Sequence, residues 1–372
     1  MNKLTLIRTF ITRQDKTMLA FFVLAGLSSV WFSPTLTSID WPVIVVLFSL
    51  ITTINYWQYF GLFERIIVKL SNQFSSAKTL QTSLVAFAFL SSMLITNDVT
   101  IIILLALFLP LSKRIDINPT LATVLIVVAA NLGSALTPLG NPQNMFLYFY
   151  SKLSLGEFLY ITAPITMLSA VLLLLLCRWL PDKALDYQLD CQQCFSSRGS
   201  LLFSAVFVSI LLGLFHWVPL YIVFLATMLA ATVSGIKQIR QQNYSLLLTF
   251  VFAFIFIANI SQWPQLIAYV THSVGTPIRL FLSTILTSQI ISNVPAAILL
   301  AHFTQHWQPL IIGVNLGGLG TLIASMASLI GYKAFSAQYP HLRKAFLYQF
   351  SLANIGLLAL LASPYVVYYL LT

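Results

Sequence analysis

The sequence predicts an all-α polytopic membrane protein of about nine transmembrane helices plus two re-entrant hairpins, arranged as inverted-topology repeats with broken helices. Three observations carry that expectation. Of 372 residues, 59% are hydrophobic and 8% charged, whereas a soluble domain carries roughly 25% charge. The chain therefore lacks the polar residues to face water on all sides. Its basic residues recur between apolar runs in the pattern of cytoplasmic loops. A segment in the first half also returns, nearly residue for residue, 184 positions later.

The first element is an amphipathic, interfacial N-terminal helix, with Leu4, Ile7, Phe10 and Ile11 apolar and Arg8 and Arg13 between them. The apolar run after Lys16 ends at Trp31-Phe32-Ser33-Pro34 without a small-x-small cleavage site, so it is expected as a retained first span over 1–39. Further uncharged stretches follow at 41–63, 119–151, 158–177, 199–236, 241–278, 280–332 and 345–372, and 199–236 is long enough for two spans split at Trp217-Val218-Pro219. Alternating sides from a cytoplasmic N-terminus puts seventeen of the nineteen basic residues inside, leaving Lys152 and Arg279 outside. The C-terminus then lies outside. The formal charge of +10 is thus a topology signal, and no nucleic-acid partner is expected.

Two stretches do not fit as simple spans. Residues 79–112 begin and end on the cytoplasmic side around Thr96-Asn97-Asp98, and 278–305 begin and end outside around Ser292-Asn293-Val294. Both read as re-entrant hairpins, which a membrane tolerates where protein or a cavity surrounds them. For 79–112 two short full spans remain the alternative, because either arrangement returns the chain to the same side.

The repeat aligns Asn131-Leu132-Gly133 with Asn315-Leu316-Gly317 and continues without a gap to Tyr148 and Tyr332, with Asn144 opposite Ser328. It divides the chain into an opening segment 1–39, repeat one over 40–180 and a loop with two linking spans over 181–242. Repeat two follows over 243–372. Each repeat reads span, hairpin, broken helix, span, with the broken helices at 119–150 and 309–332. The charge assignment runs them in opposite directions, the arrangement of alternating-access transporters. Gly133, Pro138, Gly140 and Pro142 interrupt the first. Proline frees a carbonyl one turn back, and glycine lets the backbone leave the helix. Carbonyls at Thr137, Gly140 and Asn141, and the Asn144 amide, can then meet a cation, and half-helix N-termini an anion. The second break has Gly317, Gly318 and Gly320 but no proline, with Thr321 and Ser325 supplying hydroxyls, so it is expected to unwind less sharply.

The candidate substrate and cation residues are therefore Thr96, Asn97, Asp98, Thr137, Gly140, Asn141, Asn144, Ser292, Asn293, Gly320, Thr321 and Ser325, with Na⁺ placed at Asn97, Asp98 and Gly140. Asn amides serve anionic oxygen and cation alike. Asp98 is the one acid placed near the midplane, where burial costs about 2.5–3.5 kcal/mol on insertion scales. It can bind Na⁺, carry a proton, or cap the following helix. Asn131 and Asn315 read as helix-packing hydrogen bonds. Cys191 and Cys194 have CxxC spacing without a second pair of ligands, which reads as a plain loop. His302 and His306 read as interfacial packing. A single midplane acid and the absence of an HExxH motif argue against an intramembrane enzyme.

Hairpin tips with Asn, together with Asn-Leu-Gly-x3-Thr-Pro-x-Gly-Asn-Pro-x-Asn at 131–144, resemble the ion transporter superfamily of divalent anion, citrate and arsenite permeases. The pattern is most similar to its YbiR-type inner-membrane anion transporters. The resemblance implies a bacterial plasma-membrane homodimer and a small anionic substrate, a carboxylate or inorganic oxyanion. It also implies coupling to Na⁺ or H⁺ with no other cofactor, and an elevator-like motion. Dicarboxylate symporters carry Ser-Asn-Thr at both tips. Thr96-Asn97-Asp98 and Ser292-Asn293-Val294 are more similar to the arsenite-efflux and Na⁺/H⁺-antiporter branches, which stand as the alternative function.

Overall fold

The structure is a computed structural model that describes residues 16–32, 38–185, 195–242 and 244–371. The expected N-terminal amphipathic helix and the Cys191–Cys194 pair lie outside the described residues. Among those described, the chain is helical, with one isolated antiparallel bridge between Ser76 and Ala184. It is an all-α polytopic membrane protein. Four helical stretches are long and apolar enough to cross a bilayer: Trp41–Tyr59, Leu155–Trp179, Ser197–Leu214 and Pro340–Leu371. Shorter apolar helices accompany them.

The chain forms two compact units, each drawn from both halves of the sequence. One takes its described residues from Met1–Ile66 and Cys191–Ile267, the other from Ile67–Asp190 and Ala268–Thr372. The first unit holds α1 (Lys16–Ser28), α2 (Trp41–Tyr59), α9 (Ser197–Leu214), α10 (Leu220–Ser234), α11 (Lys237–Gln241) and α12 (Ser245–Ile260). Asp40 N-caps α2 through the Val43 amide, 3.3 Å away. Polar side chains set the helix register here: Asn259 donates to Ser28 and Ser29, 3.0 Å each, between α12 and α1. Tyr56 stacks on Phe203 at 4.2 Å and donates its hydroxyl to Gly235 O. Two helices, α3 (Leu62–Ser71) and α13 (Pro264–Ser273), carry the chain from one unit to the other.

The second unit holds both hairpins and both broken helices. The hairpins are α4 (Ala77–Ser91) with α5 (Asn97–Arg114), and α14 (Pro277–Ile291) with α15 (Asn293–Ala301). The broken helices are α6 (Thr120–Gly133) with α7 (Pro142–Ser151), and α16 (Trp307–Gly317) with α17 (Met326–Gln338). The long helices α8 (Leu155–Leu176) and α18 (Arg343–Leu371) complete it. A helix apolar on every side belongs in a core. So it is for α6, buried from Ala122 to Gly133, and for α16, buried from Pro309 to Gly317.

The packing is reciprocal. Each hairpin's first arm lies along the first part of its own repeat's broken helix, α4 on α6 and α14 on α16. Each second arm lies on the broken helix of the other repeat, α5 on α17 and α15 on α7. Contacts that exchange in this way are those of a two-fold relation, in which residue i meets j and j meets i.

One expectation is corrected. The second break, 318–325, leaves the helix for as many residues as the first, 134–141, although it contains no proline. Two features replace proline. Gly320 adopts φ +97°, outside the range of ordinary side chains. Gln289, on α14, donates to the carbonyls of Gly317 and Leu319 (2.9 and 3.0 Å) and accepts from Thr321 N (2.9 Å). Helix-end carbonyls that Pro would merely release are here bound by a side chain from the neighbouring hairpin.

Candidate functional site

Each hairpin tip is docked on the break of its own repeat by one backbone hydrogen bond. Asn97 N donates to Gly140 O at 3.0 Å, and Asn293 N donates to Ala324 O at 2.9 Å. In both tips the Asn carboxamide oxygen accepts from the next amide, Asp98 N or Val294 N, at 2.9 Å. Thr96, Asn97, Ser292 and Asn293 are all buried. Asp98 is half-buried in the first turn of α5, where the amide ends of the helix favour a negative charge.

The first break is organised by two asparagines. Asn141 N-caps α7, accepting from Asn144 N at 2.8 Å, and its Nδ2 donates to Ser134 Oγ at 3.1 Å. Asn144 Nδ2 reaches the carbonyls of Ser134, Ala135 and Thr137 at 3.1–3.2 Å. Thr137 Oγ1 donates to Met93 O and accepts from Gly140 N. Thr162 on α8 closes Leu136 O at 2.8 Å. The four candidate residues of this break are thus brought together, and their side chains shape the loop. In the second break Thr321 is exposed, Ser325 is buried, and Gln289 does from α14 what Asn144 does from α7.

The two breaks are cross-braced. Asn131 Nδ2 donates to Ser328 Oγ (3.1 Å), and Asn315 Nδ2 donates to Asn144 Oδ1 (2.7 Å). Ser325 Oγ donates to Asn131 Oδ1 (3.1 Å), and Asn141 Nδ2 donates to Asn315 Oδ1 (3.0 Å). Every partner is its counterpart's residue shifted by 184. The hydrogen-bonding role read for Asn131 and Asn315 stands, but the bonds tie one break to the other. Sequence reasoning missed Gln289 and Ser328 as builders of the site. The repeat places Ser328 opposite Asn144, a signal sufficient to find it; Gln289 stands where the first repeat has Met93, so the repeat hides it.

The half-sites differ. Asp98 has Val294 opposite it. Asn97 Nδ2 also donates to Asn131 Oδ1 at 2.9 Å, whereas among the described residues no bond joins Asn293 to Asn315. Ser292 sits at φ 76°, ψ 156°, a region that is close to glycine-only and costs of order 1–3 kcal/mol. No Lys or Arg occurs in the tips or breaks. Among the described residues no group of three His, Cys, Asp or Glu converges to hold a metal ion. His302 lies apart from the tips, its Nδ1 3.1 Å from Ile298 O and its ring 4.9 Å from Tyr150.

Comparison with known proteins places the chain among membrane transporters. A family model described as citrate transporter matches residues 5–331. The chain is 32% identical over 295 residues to an uncharacterized transporter of Methanocaldococcus jannaschii, covering 78% of this chain and 80% of that one. It is 31% identical over 345 residues to inner membrane protein YbiR of Escherichia coli, covering 87% and 88%. A silicon efflux transporter of Oryza sativa subsp. japonica is 30% identical over 145 residues, 38% of this chain and 30% of that one.

Proposed function

The chain belongs to the citrate transporter family, and we propose that it is a secondary active transporter of a small anion, a carboxylate or inorganic oxyanion, coupled to Na⁺ or H⁺. The observation that carries this reading is a pair of braced half-sites built from amides, hydroxyls and helix breaks, with one acid and no basic residue. Such a site offers a dianion donors but no neutralising charge, while Asp98 repels it. A cation or proton at Asn97, Asp98 and Gly140 removes that repulsion, so loading of cation and anion becomes interdependent. The unit that holds both half-sites would be the moving body of an elevator, with the other unit as its frame. Each protomer of a homodimer would work so in a bacterial inner membrane, N-terminus inside.

A second reading, efflux of an uncharged oxyacid of the arsenite type, is favoured by one observation. A relative covering part of the chain is named a silicon efflux transporter, and a site of amides and hydroxyls with no basic residue suits a neutral polyhydroxylated solute. Na⁺/H⁺ antiport needs Asp98 alone. One experiment separates them: reconstitute the full chain and measure flux of citrate, phosphate and arsenite under imposed Na⁺, pH and voltage gradients, each alone. Anion flux driven by a cation gradient supports the first reading. Flux of arsenite indifferent to every cation gradient supports the second, and Na⁺ movement driven by ΔpH without any anion supports antiport.

A further inference from the structure

The brace is symmetric in its partners but not in its chemistry. At the start of α7 the N-cap is Asn141, whose carboxamide has two ends: Oδ1 caps the helix at Asn144 N while Nδ2 reaches Asn315. At the start of α17 the N-cap is Ser325, which has a single oxygen. That hydroxyl is turned to Asn131 Oδ1, and α17 has no side-chain cap. Serine is among the preferred capping residues, but its one oxygen occupies one position at a time: in the rotamer that donates to Asn131 Oδ1, Ser325 Oγ makes no bond to the first-turn amides of its own helix. Holding that rotamer depends on Asn131 keeping Oδ1 towards the hydroxyl. That orientation is fixed by Asn97 Nδ2, which donates to the same Oδ1 from the first hairpin tip, and by Ser328, which accepts from Asn131 Nδ2. The second repeat has no matching link from its tip: among the described residues Asn315 Oδ1 accepts from Asn141, and no bond joins it to Asn293.

We propose that Asn131 is the positioning residue that couples the two half-sites: set by Asn97 at the first tip, it holds the Ser325 hydroxyl and leaves the first amides of α17 open to the occupant of the second half-site. This rests on the coupled-transport reading. A cation that engages Asn97 Oδ1 keeps its Nδ2 on Asn131. When Asn97 turns away, Asn131 Oδ1 is no longer pinned towards Ser325, and the serine turns to the other rotamer, in which its oxygen accepts from the first-turn amides of α17. The switching element is one serine rotamer with two discrete states, as a coupling path requires.

The test measures a coupling factor in the purified full-length protein: the ratio of apparent affinities for citrate, phosphate or arsenite with and without saturating Na⁺, and across a pH series. The wild type is expected to show a factor of about ten for at least one of these. Asn131→Ala and Ser325→Ala are each expected to bring it close to one, and the double variant to lose no more than either single one, as members of one path do. Ser325→Asn, which copies the two-ended cap of the other repeat, is expected to bond Asn131 and cap α17 together, again without coupling. A merely structural bond would lower the melting temperature of Asn131→Ala and leave the factor at its wild-type value, and that result overturns the proposal. Should Asn131→Ala fail to fold, a wild-type factor in Ser325→Ala overturns it equally. If the wild type itself shows no cation effect on any of the three solutes, the coupled-transport reading fails and the relay with it, a result distinct from a coupled wild type whose variants stay coupled.

Discussion

The two half-sites share a plan and differ in how it is held. Hairpin tip, docking bond, break and cross-brace correspond position by position. Yet the first carries an acid, a capped α7 and a link from its tip to the brace, while the second has Val294, an uncapped α17 and a strained Ser292. Duplication supplies the two-fold frame, and divergence at a few positions makes the halves unequal. On the coupled-transport reading proposed above, that inequality would give cation and substrate different partners in the two halves.

The largest difference is expected where the helices approach closest. A Cβ on Gly133 would lie 2.0 Å from the Phe89 carbonyl oxygen, a backbone atom that cannot move aside. On Gly317 it would meet the Ser288 side chain, at 2.5 Å from Oγ and 2.7 Å from Cβ, with no backbone atom nearer than 3.4 Å. Overpacking costs about 1–3 kcal/mol and occasionally more. Gly133→Ala should therefore exceed that range and abolish folded yield, while Gly317→Ala should stay within it and leave a lowered melting temperature. Equal losses would mean that the two hairpins grip their broken helices alike.

The tips come next. Asp98→Asn keeps the shape and removes the charge; hydrogen bonds to charged groups contribute about 1.5–3 kcal/mol, so cation affinity should fall roughly 10- to 100-fold. Val294→Asn on the other tip should leave it unchanged. Isothermal titration of Na⁺, and of protons by pH-dependent flux, reads both. A cation affinity that survives Asp98→Asn reduces that residue to a helix-end charge.

Backbone strain gives a smaller contrast, opposite in sign. Ser292→Gly removes a side chain from a conformation suited to glycine and should stabilise the second tip by about 1 kcal/mol. Ser92, on the approach to the first tip, has an ordinary φ of −65°, so Ser92→Gly adds chain entropy and should destabilise by about 0.5–1 kcal/mol. Thermal unfolding of the two variants decides it. Lost transport in the stabilised Ser292→Gly would show that the strain serves binding.

Much of this was legible in the sequence, for identifiable reasons. Thr96-Asn97-Asp98 and Ser292-Asn293 announce the tips because polar residues halfway along an apolar run need partners, and the offset of 184 pairs the breaks before any contact is known. What stayed hidden depends on side chains that reach between elements. Gln289 looks like an ordinary polar residue on a hairpin arm until its amide is seen across Gly317 and Leu319. Asn141 and Asn144 were legible as site residues, but not the number of carbonyls they would close. Nor could composition place the compact units, because each is assembled from both repeats.

The smallest contrast lies at the hairpin bases. The first is strapped by the loop that follows α8: Ala77 N donates to Lys183 O at 2.8 Å, Leu185 N to Ser75 O at 2.7 Å, and Ser76 Oγ to Asp182 Oδ1 at 2.5 Å. The second base has the Thr276 cap on Arg279 N. The Ser76 hydroxyl above all, with amides and Lys78, holds the Asp182 carboxyl below its usual range. A depressed carboxylate pKa contributes stability that is complete above the unfolded value and is lost as pH falls through the folded one. The strap should therefore be unaffected from neutral pH down to the ordinary carboxylate range and loosen only below it. Hydrogen exchange at the Ala77 and Leu185 amides, corrected for intrinsic rate, should quicken at that acid edge, while Arg279 N, whose partner is a hydroxyl, should show no such step. Asp182→Asn should remove the step without accelerating exchange at Arg279. A step at both bases would mean that acid loosens the unit as a whole and that the strap does not distinguish the first hairpin from the second.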